Sequence, residues 1–539
     1  MSAYWTPQTK FTSVFHVTKE YGKATFGGLG VVVTSLTKYQ ARFYGPSYEI
    51  NVIMPYYSFI RKDEGRKGQI TLVEIMSFNH PEYGKLMSKV FIVRDGRVNL
   101  YFISPAINHP EFSHAFESKD AFSLYEQNDY LDNDLKDIFF AKMTALFIEK
   151  RINEENNIAL HLHGATNGLV LKFLEQLNTI KCLYTMHDYY YEVRYGNRIS
   201  NLNGFLKAPF LNSCTGDFVP SAYAIEHSNI VSMVSKQAVK DIIEGKLSFE
   251  GEEVILEPLL KRIREKTFFG ISNGVDLEYL SPSWNHKLYE ERIQVTEKED
   301  DGLMDKKKES KNFLLEKRII RGSGHDIWAL FIGRFQEAKG VKFLQKAAEM
   351  FNHLGVTFII MGQENDYAIS EIMQLQKYEN VIIISDSSTQ KSYGSMIRMA
   401  ADIMFVPSLN EAFGLVAVEG LWFGSLIIST AVGGLKEFLI PASANQLASR
   451  LLWSGDCCKG EGQPYCFSFN SFIFNPVGSE RSLEIAIENG VLFLKQLDKK
   501  GRGCFVRSLI ESAKKMSWDA PDGGLWQYKL VYKMLINEF

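Results

Sequence analysis

The 539-residue sequence holds only six cysteines and carries almost no net charge. The cysteines show no paired metal-ligand spacing, and a chain of this length needs no disulfide staples, so we expect reduced thiols. Sixty Lys and Arg side chains oppose 63 Asp and Glu, a formal net charge of −3. This balance gives no global attraction to nucleic acid or to an anionic membrane and favours a small or neutral ligand.

Long apolar runs are missing as well. No stretch reaches about 18 uninterrupted apolar residues, and the first residues lack a basic segment followed by an apolar run and a cleavage site. These absences predict a cytoplasmic protein without a transmembrane segment. With 45% hydrophobic residues, the chain is long enough for two well-buried cores.

Short apolar, β-branched runs alternate with turns and longer helical segments, a pattern typical of buried parallel strands joined by crossover helices. The predicted strands are 11–17, 50–55, 89–93, 98–104, 158–164, 181–187 and 229–235, then 327–334, 356–362, 380–386, 401–408 and 425–430. Two such series predict two Rossmann-like domains that face one another, with ligands at the carboxyl ends of the strands.

The charged run TEKEDDGLMDKKKESK (296–311) separates the two series and is typical of a solvated loop or a hinge-side helix. We therefore expect an N-terminal, acceptor-side domain over 1–265 and an interdomain segment with this charged linker over 266–325. A nucleotide-sugar-binding domain over 326–515 and a C-terminal helix over 516–539 that packs back on the first domain complete the prediction.

Three motifs carry chemistry, and the first is KATFGGLGVVV, which places Gly27, Gly28 and Gly30 between a predicted strand and a helix. Without Cβ atoms, such a turn lets backbone N–H groups approach an anionic phosphate at the helix N-terminus. A tight packing turn without a ligand is the alternative.

The second motif, ALFIGRFQEAKGVKFL (329–344), puts Arg334 at the end of a strand and Lys339 five residues later. Two fixed cations at the mouth of a cleft can stabilise the charge that develops on a pyrophosphate leaving group without a metal ion. Surface salt bridges are the alternative.

The third motif runs from Pro407 to Leu439 and carries Glu411 and Glu419. If a helix begins near Gly414, Glu419 lies in its second turn and Glu411 in the preceding loop, so both carboxylates can face one cleft and bind sugar and ribose hydroxyls. The amides of Gly414 and Leu415 can meet a phosphate at that helix N-terminus. Ordinary exposed glutamates are the alternative.

Taken in order, these motifs resemble the starch and glycogen synthases of glycosyltransferase family five over nearly the whole chain. YTMHDYYYE (184–192), VSMVSKQAVKDI (231–242) and GISNGVDLEYLSPSWN (270–285) are similar to further segments of the family. The KATFGGLG variant is loosely similar to the synthase domain of fungal α-1,3-glucan synthases. The resemblance implies an α/β, GT-B fold: two facing Rossmann-like domains with a C-terminal helix returning to the first.

The resemblance also implies an activity, namely retaining transfer of glucose or a similar hexose to an α-glucan acceptor. The donor would be UDP-glucose or ADP-glucose, used as a co-substrate without a further cofactor or a metal. Arg334 and Lys339 would bind the donor diphosphate, Glu411 would hold the transferred sugar, and Glu419 would bind the ribose.

The resemblance implies further site residues on the donor side and on the acceptor side. Gly28 and Gly30 would let the first loop close on the phosphates, while Gly433 and Gly434 would line the nucleotide side. The acceptor-side candidates are Asp132, Asn133, His161, His163, Thr166 and His187.

The sequence departs from the family pattern in two places. The family lysine before the glycines is absent at Thr25, with Lys23 the nearest, and Thr166 stands where a His-x-His-Asp-Trp-His signature ends in an active-site histidine. Two alternatives therefore stay open: a non-catalytic relative that binds nucleotide sugar or glucan, and a GT-B transferase with a non-glucan acceptor. We expect His161 and His163 to lie on opposite faces of their strand. For each of them, a hydrogen bond within the fold is favoured over contact with a ligand.

Overall fold

The computed structural model describes residues 12–67, 70–106, 110–125, 130–154, 157–174, 180–190, 192, 205, 218–249, 251–280, 302–321, 327–443, 467–477 and 480–536. The chain divides into two compact units. Unit 1 consists of Met1–Gly274 with Pro521–Phe539, and unit 2 of Val275–Ala520. The predicted α/β class, two domains and return of the C-terminal helix to the first domain are confirmed.

Unit 1 has nine strands among its described residues: β1 Thr12–Val17, β2 Tyr48–Pro55, β3 Thr71–His80, β4 Gly84–Asp95, β5 Val98–Pro105, β6 Ile158–His163, β7 Lys181–Met186, β8 Ile230–Met233 and β9 Phe268–Gly270. They form one sheet in the order β3-β4-β5-β2-β1-β6-β7-β8-β9. β1 lies between β2 and β6, so successive crossovers run outward on both sides of it. The carboxyl ends of β1 and β6 therefore form the switch point at which α/β folds bind ligands.

The two outer strands β3 and β4 correct the prediction of an all-parallel sheet. β4 pairs antiparallel with both β3 and β5, whereas the run 89–93 within it was expected to be a buried parallel strand. β3 was not predicted, because its alternation of exposed and buried residues is interrupted by a register shift between Leu72 and Glu74. Its Ile75 side chain is 55% exposed, so the strand lacks the continuous apolar run of a central strand.

Unit 2 has six strands among its described residues: β10 Trp328–Ile332, β11 Thr357–Met361, β12 Val381–Ile384, β13 Ile403–Val406, β14 Leu426–Ser429 and β15 Ser471–Ile473. All pairs are parallel, in the order β12-β11-β10-β13-β14-β15. Most of these residues are buried, as expected for strands covered by helices on both faces. The strand order reverses between β10 and β13.

In chain order, the α-helices of the described residues are α1 Gly28–Phe43, α2 Ser58–Lys67, α3 Pro110–Ala115, α4 Tyr130–Glu154, α5 Leu169–Phe173, α6 Pro220–His227, α7 Lys236–Ile243, α8 Glu253–Arg264, α9 Leu277–Leu280, α10 Gly302–Glu316, α11 Leu344–His353, α12 Ile369–Met373, α13 Ser387–Ala400, α14 Leu415–Trp422, α15 Glu480–Gln496, α16 Lys499–Lys514 and α17 Gly524–Leu535. α17 packs in unit 1, where the Tyr44 hydroxyl donates to the Leu525 carbonyl at 2.6 Å. None of the described helices is long and apolar enough to cross a membrane.

Helix α10 covers the whole described part of the charged run and is partly buried rather than only solvated. Lys307 is 2% exposed and its ammonium donates to the carbonyl of Met399 at 3.2 Å. Lys311 pairs with the buried Asp402 at 2.6 Å. The basic residues are thus divided between the interior of unit 2 and its surface, and α10 is a packed helix of that unit. The units divide between Gly274 and Val275, ahead of this helix.

Two described cysteines have different states. Cys182 is a buried free thiol, whereas Cys504 is disulfide-bonded. The expectation of reduced thiols is therefore wrong for Cys504. Sequence spacing could not reveal this bond, because disulfide formation depends on closeness in the folded chain.

Candidate active site

The second and third motifs meet in unit 2 at the point where the strand order reverses. β10 leads into Arg334 and then into a 3₁₀ turn at Glu337–Lys339, while β13 leads into the loop that carries Glu411. The Leu409 N–H donates to the Ala338 carbonyl at 2.8 Å, which ties this loop to the turn. Both segments therefore lie at the carboxyl edge of the sheet, the position at which α/β folds bind their ligands.

Lys339 and Glu411 form a charged pair in this site. The Lys339 ammonium lies 2.8 Å from Glu411 Oε2, and the Ser408 hydroxyl donates to the same oxygen at 3.1 Å. The lysine and glutamate side chains are 24% and 16% exposed, so the pair is open to a ligand on one side. Arg334 is half-buried at the end of β10. Ser408 was not predicted, although it lies inside the third motif.

Gly433 and Gly434 support the Glu411 loop from behind. Gly433 has φ +53, and a Cβ atom there would lie 2.1 Å from the Glu411 carbonyl oxygen. The Gly434 N–H donates to that same carbonyl at 3.1 Å. The structure therefore brings both glycines to the Glu411 backbone, where only a residue without a side chain fits at position 433.

Helix α14 begins at Leu415, directly after Gly414, as predicted from the third motif. The N–H groups of its first turn are those that an α-helix leaves without intrahelical acceptors. Glu419 lies in the second turn, 9% exposed, and accepts a hydrogen bond from Arg398 Nε of α13 at 2.9 Å. Arg398 has no motif around it that could have identified it in advance. Glu419 thus faces a cation of its own unit.

The Gly-rich turn of unit 1 is already occupied by an internal carboxylate. Glu20 Oε2 accepts hydrogen bonds from the N–H groups of Phe26 at 2.8 Å and Gly27 at 2.9 Å. Gly30 is buried, and a Cβ atom there would lie 2.9 Å from Glu20 Oε2. At Gly27 and Gly30 the turn is therefore a tight packing turn closed by Glu20, as in the alternative. Gly28 is exposed at the start of α1.

The acceptor-side candidates lie on α4, on β6 and in the segments that follow β6 and β7. Asp132 and Asn133 lie in the first turn of α4. On the same helix, Asp137 pairs with Lys19 at 3.0 Å, a buried contact that was not predicted. Thr166 is 7% exposed in the 3₁₀ turn Ala165–Gly168 that follows β6.

His161 and His163 lie on the same face of β6, and their ring centroids are 3.9 Å apart. The prediction of opposite faces was wrong, because residues two apart in a strand share a face. His161 contacts the Tyr532 hydroxyl of α17 at 2.7 Å and the Thr185 hydroxyl at 2.6 Å. His163 contacts His187 at 3.0 Å, just beyond the end of β7.

His16 of β1 joins this group and was missed from the sequence. It lies opposite His161 in the parallel register and contacts His163 at 2.9 Å. The adjacency of β1 and β6 is the signal that could have found it. The ring nitrogens of His16, His161 and His163 lie within 4.8 Å of one another, a spacing from which a metal site can be built. Each of these nitrogens, however, already has a hydrogen-bond partner.

Two family models match the sequence in consecutive segments. The model described as the starch synthase catalytic domain matches residues 13–257, and the model described as glycosyl transferases group 1 matches residues 316–449. The first segment lies within unit 1 and the second within unit 2.

Bacterial glycogen synthases are among the similar curated proteins. That of Chlamydia pneumoniae is 25% identical over 429 residues, which cover 77% of this chain and 83% of the relative. That of Thermosipho africanus (strain TCF52B) is 23% identical over 538 residues, which cover 96% and 98%.

Among solved structures, the catalytic domain of starch synthase IV from Arabidopsis thaliana, bound to ADP and acarbose, matches with a TM-score of 0.75. The identity is 20%, and the match covers 98% of this chain and 100% of the other. At this identity the likeness concerns the fold alone, and it confirms the predicted GT-B class.

Proposed function

We propose that this chain, which belongs to the starch and glycogen synthase family of glycosyltransferases, transfers a glucosyl group with retention from a nucleotide diphosphate sugar to an α-glucan. The observation that carries the proposal is the convergence of Arg334, Lys339 and Glu411 at the carboxyl edge of the unit 2 sheet, where the strand order reverses. The donor is ADP-glucose or UDP-glucose.

The two cations of this site bind the donor diphosphate. In the transfer, the bond between the sugar carbon C1 and the diphosphate oxygen breaks while the acceptor hydroxyl attacks C1 from the same face. The hydroxyl proton passes to the departing diphosphate. Negative charge grows on the leaving oxygen, so Arg334 and Lys339 stabilise the transition state more than the bound donor.

Glu411 and Glu419 bind the neutral parts of the donor in this proposal. Glu411 holds the transferred sugar near C1 and orients Lys339 through their 2.8 Å contact. Glu419 accepts hydrogen bonds from the ribose, while the amides at the start of α14 face a phosphate. Gly433 and Gly434 hold the Glu411 loop in position.

Alanine substitutions of the two cations test the assignment. Arg334→Ala and Lys339→Ala should each weaken nucleoside diphosphate binding, measured by calorimetry with ADP and UDP. Each should also lower turnover with ADP-glucose and UDP-glucose on glycogen and maltooligosaccharides. Losing one such electrostatic group costs about 2–4 kcal/mol of transition-state stabilisation, or roughly 30- to 1,000-fold in rate.

Lys342→Ala is the matched control, because Lys342 is an exposed lysine three residues from Lys339 in the neighbouring 3₁₀ turn. It should bind nucleotide and transfer sugar as the wild type does. Full activity of both Arg334→Ala and Lys339→Ala, with folding confirmed by thermal melting, would remove the diphosphate assignment.

One observation favours a second candidate, a relative that binds nucleotide sugar without transferring it. Thr166 takes the place of the family histidine, and a threonine hydroxyl cannot act as an imidazole. The same assays separate the candidates: nucleotide binding without transfer or donor hydrolysis on any acceptor supports the binding protein. Transfer to sugars other than glucans would instead indicate a different acceptor class.

A further inference from the structure

A continuous series of hydrogen bonds crosses unit 1 and ends at His187. Gln40 Oε1 of α1 lies 2.8 Å from His16 Nε2, and His16 Nδ1 lies 2.9 Å from His163 Nε2. His163 Nδ1 lies 3.0 Å from His187 Nε2. We call these four residues the histidine series. It runs from α1 through β1 and β6 to the carboxyl end of β7.

The histidines of the series are neutral, so each carries a single ring proton. Burial lowers the pKa of His16 to about 3, against a weaker opposing effect of the Gln40 hydrogen bond. Burial also lowers the pKa of His187 to about 3 and that of His163 well below its usual range. The neighbouring imidazoles lower the pKa of His163 further.

Because each ring has only one proton, the nitrogen that donates in one histidine determines which nitrogen donates in the next. The Gln40 carbonyl oxygen can only accept, so His16 donates from Nε2 and accepts at Nδ1. His163 must then donate from Nε2 and accept at Nδ1, and His187 must donate from Nε2. The lone pair of His187 is left on Nδ1. Turning the Gln40 amide over would reverse every donor and put the His187 proton on Nδ1.

Tyr532 of α17 supplies the partner of the Gln40 amide nitrogen, and the network around it is complete with the amide as placed. The Gln40 amide nitrogen donates to the Tyr532 hydroxyl at 3.2 Å. That hydroxyl lies 2.7 Å from His161 Nδ1 and can donate to it, which leaves His161 Nε2 to donate to Thr185 at 2.6 Å. Thr185 in turn reaches the Ser232 hydroxyl at 2.7 Å. Each group therefore has a compatible partner with the amide as placed.

We propose that Gln40, His16 and His163 are positioning residues that hold His187 with its proton on Nε2, so that Nδ1 accepts a hydrogen bond from a hydroxyl of the glucan acceptor. This inference rests on the proposed function and assigns the imidazole that Thr166 does not supply. His187 is partly exposed and follows β7, next to the switch point between β1 and β6. Among the described residues, no hydrogen-bond donor reaches its Nδ1.

The tautomer of His187 can be measured without any activity. Long-range proton–nitrogen NMR of the full chain labelled with ¹⁵N-histidine should show His187 protonated on Nε2, its signals identified by their loss in His187→Asn. In Gln40→Met, which keeps the length but removes the acceptor, both tautomers of His187 should be populated. A proton on Nδ1 in the wild type, or an unchanged tautomer in Gln40→Met, would overturn the inference.

Transfer kinetics test the use of Nδ1 itself. An asparagine amide takes the place of ring Nδ1 and a glutamine amide that of Nε2. His187→Gln keeps the contact with His163 but loses the acceptor, so kcat/KM for the glucan should fall by about 10- to 100-fold. His187→Asn should retain more of the rate. Nucleotide affinity in unit 2 should be unchanged in both.

His353→Gln is the matched control, because His353 is exposed at the end of α11, far along that helix from the carboxyl edge of the unit 2 sheet. Wild-type rates in both His187 variants would sink the inference and leave the proposed function standing. A wild type that binds nucleotide without transferring sugar would sink the proposed function, and the NMR result alone would then decide on His187. Stoichiometric zinc binding by His16, His161 and His163 would also overturn the series, because the metal needs their lone pairs.

Discussion

At the scale of single residues, Glu411 is the most informative position of the candidate site. Its carboxylate faces Lys339 at 2.8 Å, so it offsets one of the two charges that we assign to the diphosphate. Removing that negative charge while keeping the shape should therefore separate binding from transfer.

Glu411→Gln should bind ADP or UDP as tightly as the wild type or more tightly, because Lys339 then faces the diphosphate uncompensated. Turnover should fall by about 100-fold or more, since the amide holds the transferred sugar and Lys339 less firmly. Calorimetry gives the affinity and a transfer assay the rate. Glu437→Gln, on the nearby 3₁₀ turn Gly433–Glu437, is the control. Equal losses in affinity and rate would contradict the assigned role.

The meeting of the second and third motifs could be predicted, because each motif follows a predicted apolar strand. Arg334 and Lys339 lie in the segment after β10 and Glu411 in the loop after β13, and the pairing of these two strands brings the segments together. Glu20 and Tyr532 could not be predicted. The Glu20 carboxylate satisfies a turn that looks ready for phosphate, and Tyr532 contacts a histidine 371 positions earlier. Such contacts depend on the folded chain and leave no local pattern.

At the scale of elements, buried parallel strands were found more readily than the outer hairpin. β2, β5 and β6 are mostly apolar and almost continuously buried, the pattern of a strand covered on both faces. β3 alternates, contains a bulge and exposes apolar side chains, so its sequence does not distinguish it from a loop. The charged helix α10 was expected in solvent, because a charge run gives no sign of which lysine the fold buries.

Lys307 on α10 should make the stability of unit 2 depend on pH. Burial lowers the pKa of its ammonium from 10.5 to about 7, although Asp402 opposes the shift. Between pH 7 and 10 the unfolded chain keeps a proton that the folded chain has lost. The free energy of unfolding therefore gains up to about 1.4 kcal/mol per pH unit from this group as the pH rises. Below pH 7 both states are protonated and the contribution is constant.

Lys307→Met removes the pH-dependent contribution of this side chain to the free energy of unfolding. The free energy of unfolding of the variant, minus that of the wild type, should fall as the pH rises from 7 to 10. Urea titrations at three pH values in that window measure the difference. Lys308→Met, an exposed neighbour on the same helix, is the control. A difference that stays constant with pH would show that Lys307 keeps its proton when buried.

At the scale of the whole molecule, the two units differ in the number of chain segments that form them. Unit 2 is one continuous stretch whose two ends meet, because the Val275 N–H donates to the Met516 carbonyl at 2.9 Å. Unit 1 is completed only by the returning segment Pro521–Phe539. Within that segment, Tyr528 and Tyr532 are fully buried. The order of the chain therefore predicts different behaviour when the units are separated.

Residues 275–520 produced alone should fold and bind ADP or UDP with a Kd within about tenfold of the full chain, a difference of no more than about 1.4 kcal/mol. Every residue that we assign to the diphosphate belongs to this stretch, and both of its ends are held by its own hydrogen bonds. The excised unit should not transfer sugar. Residues 1–274 alone should melt at a lower temperature than the same residues joined to 521–539, because they lack the helix that covers Gln40 and His161. Calorimetry and thermal melting measure both effects. An excised unit 2 that folds but no longer binds nucleotide would mean that residues outside it are needed for the donor, and the assignment of the diphosphate to residues of unit 2 alone would be wrong.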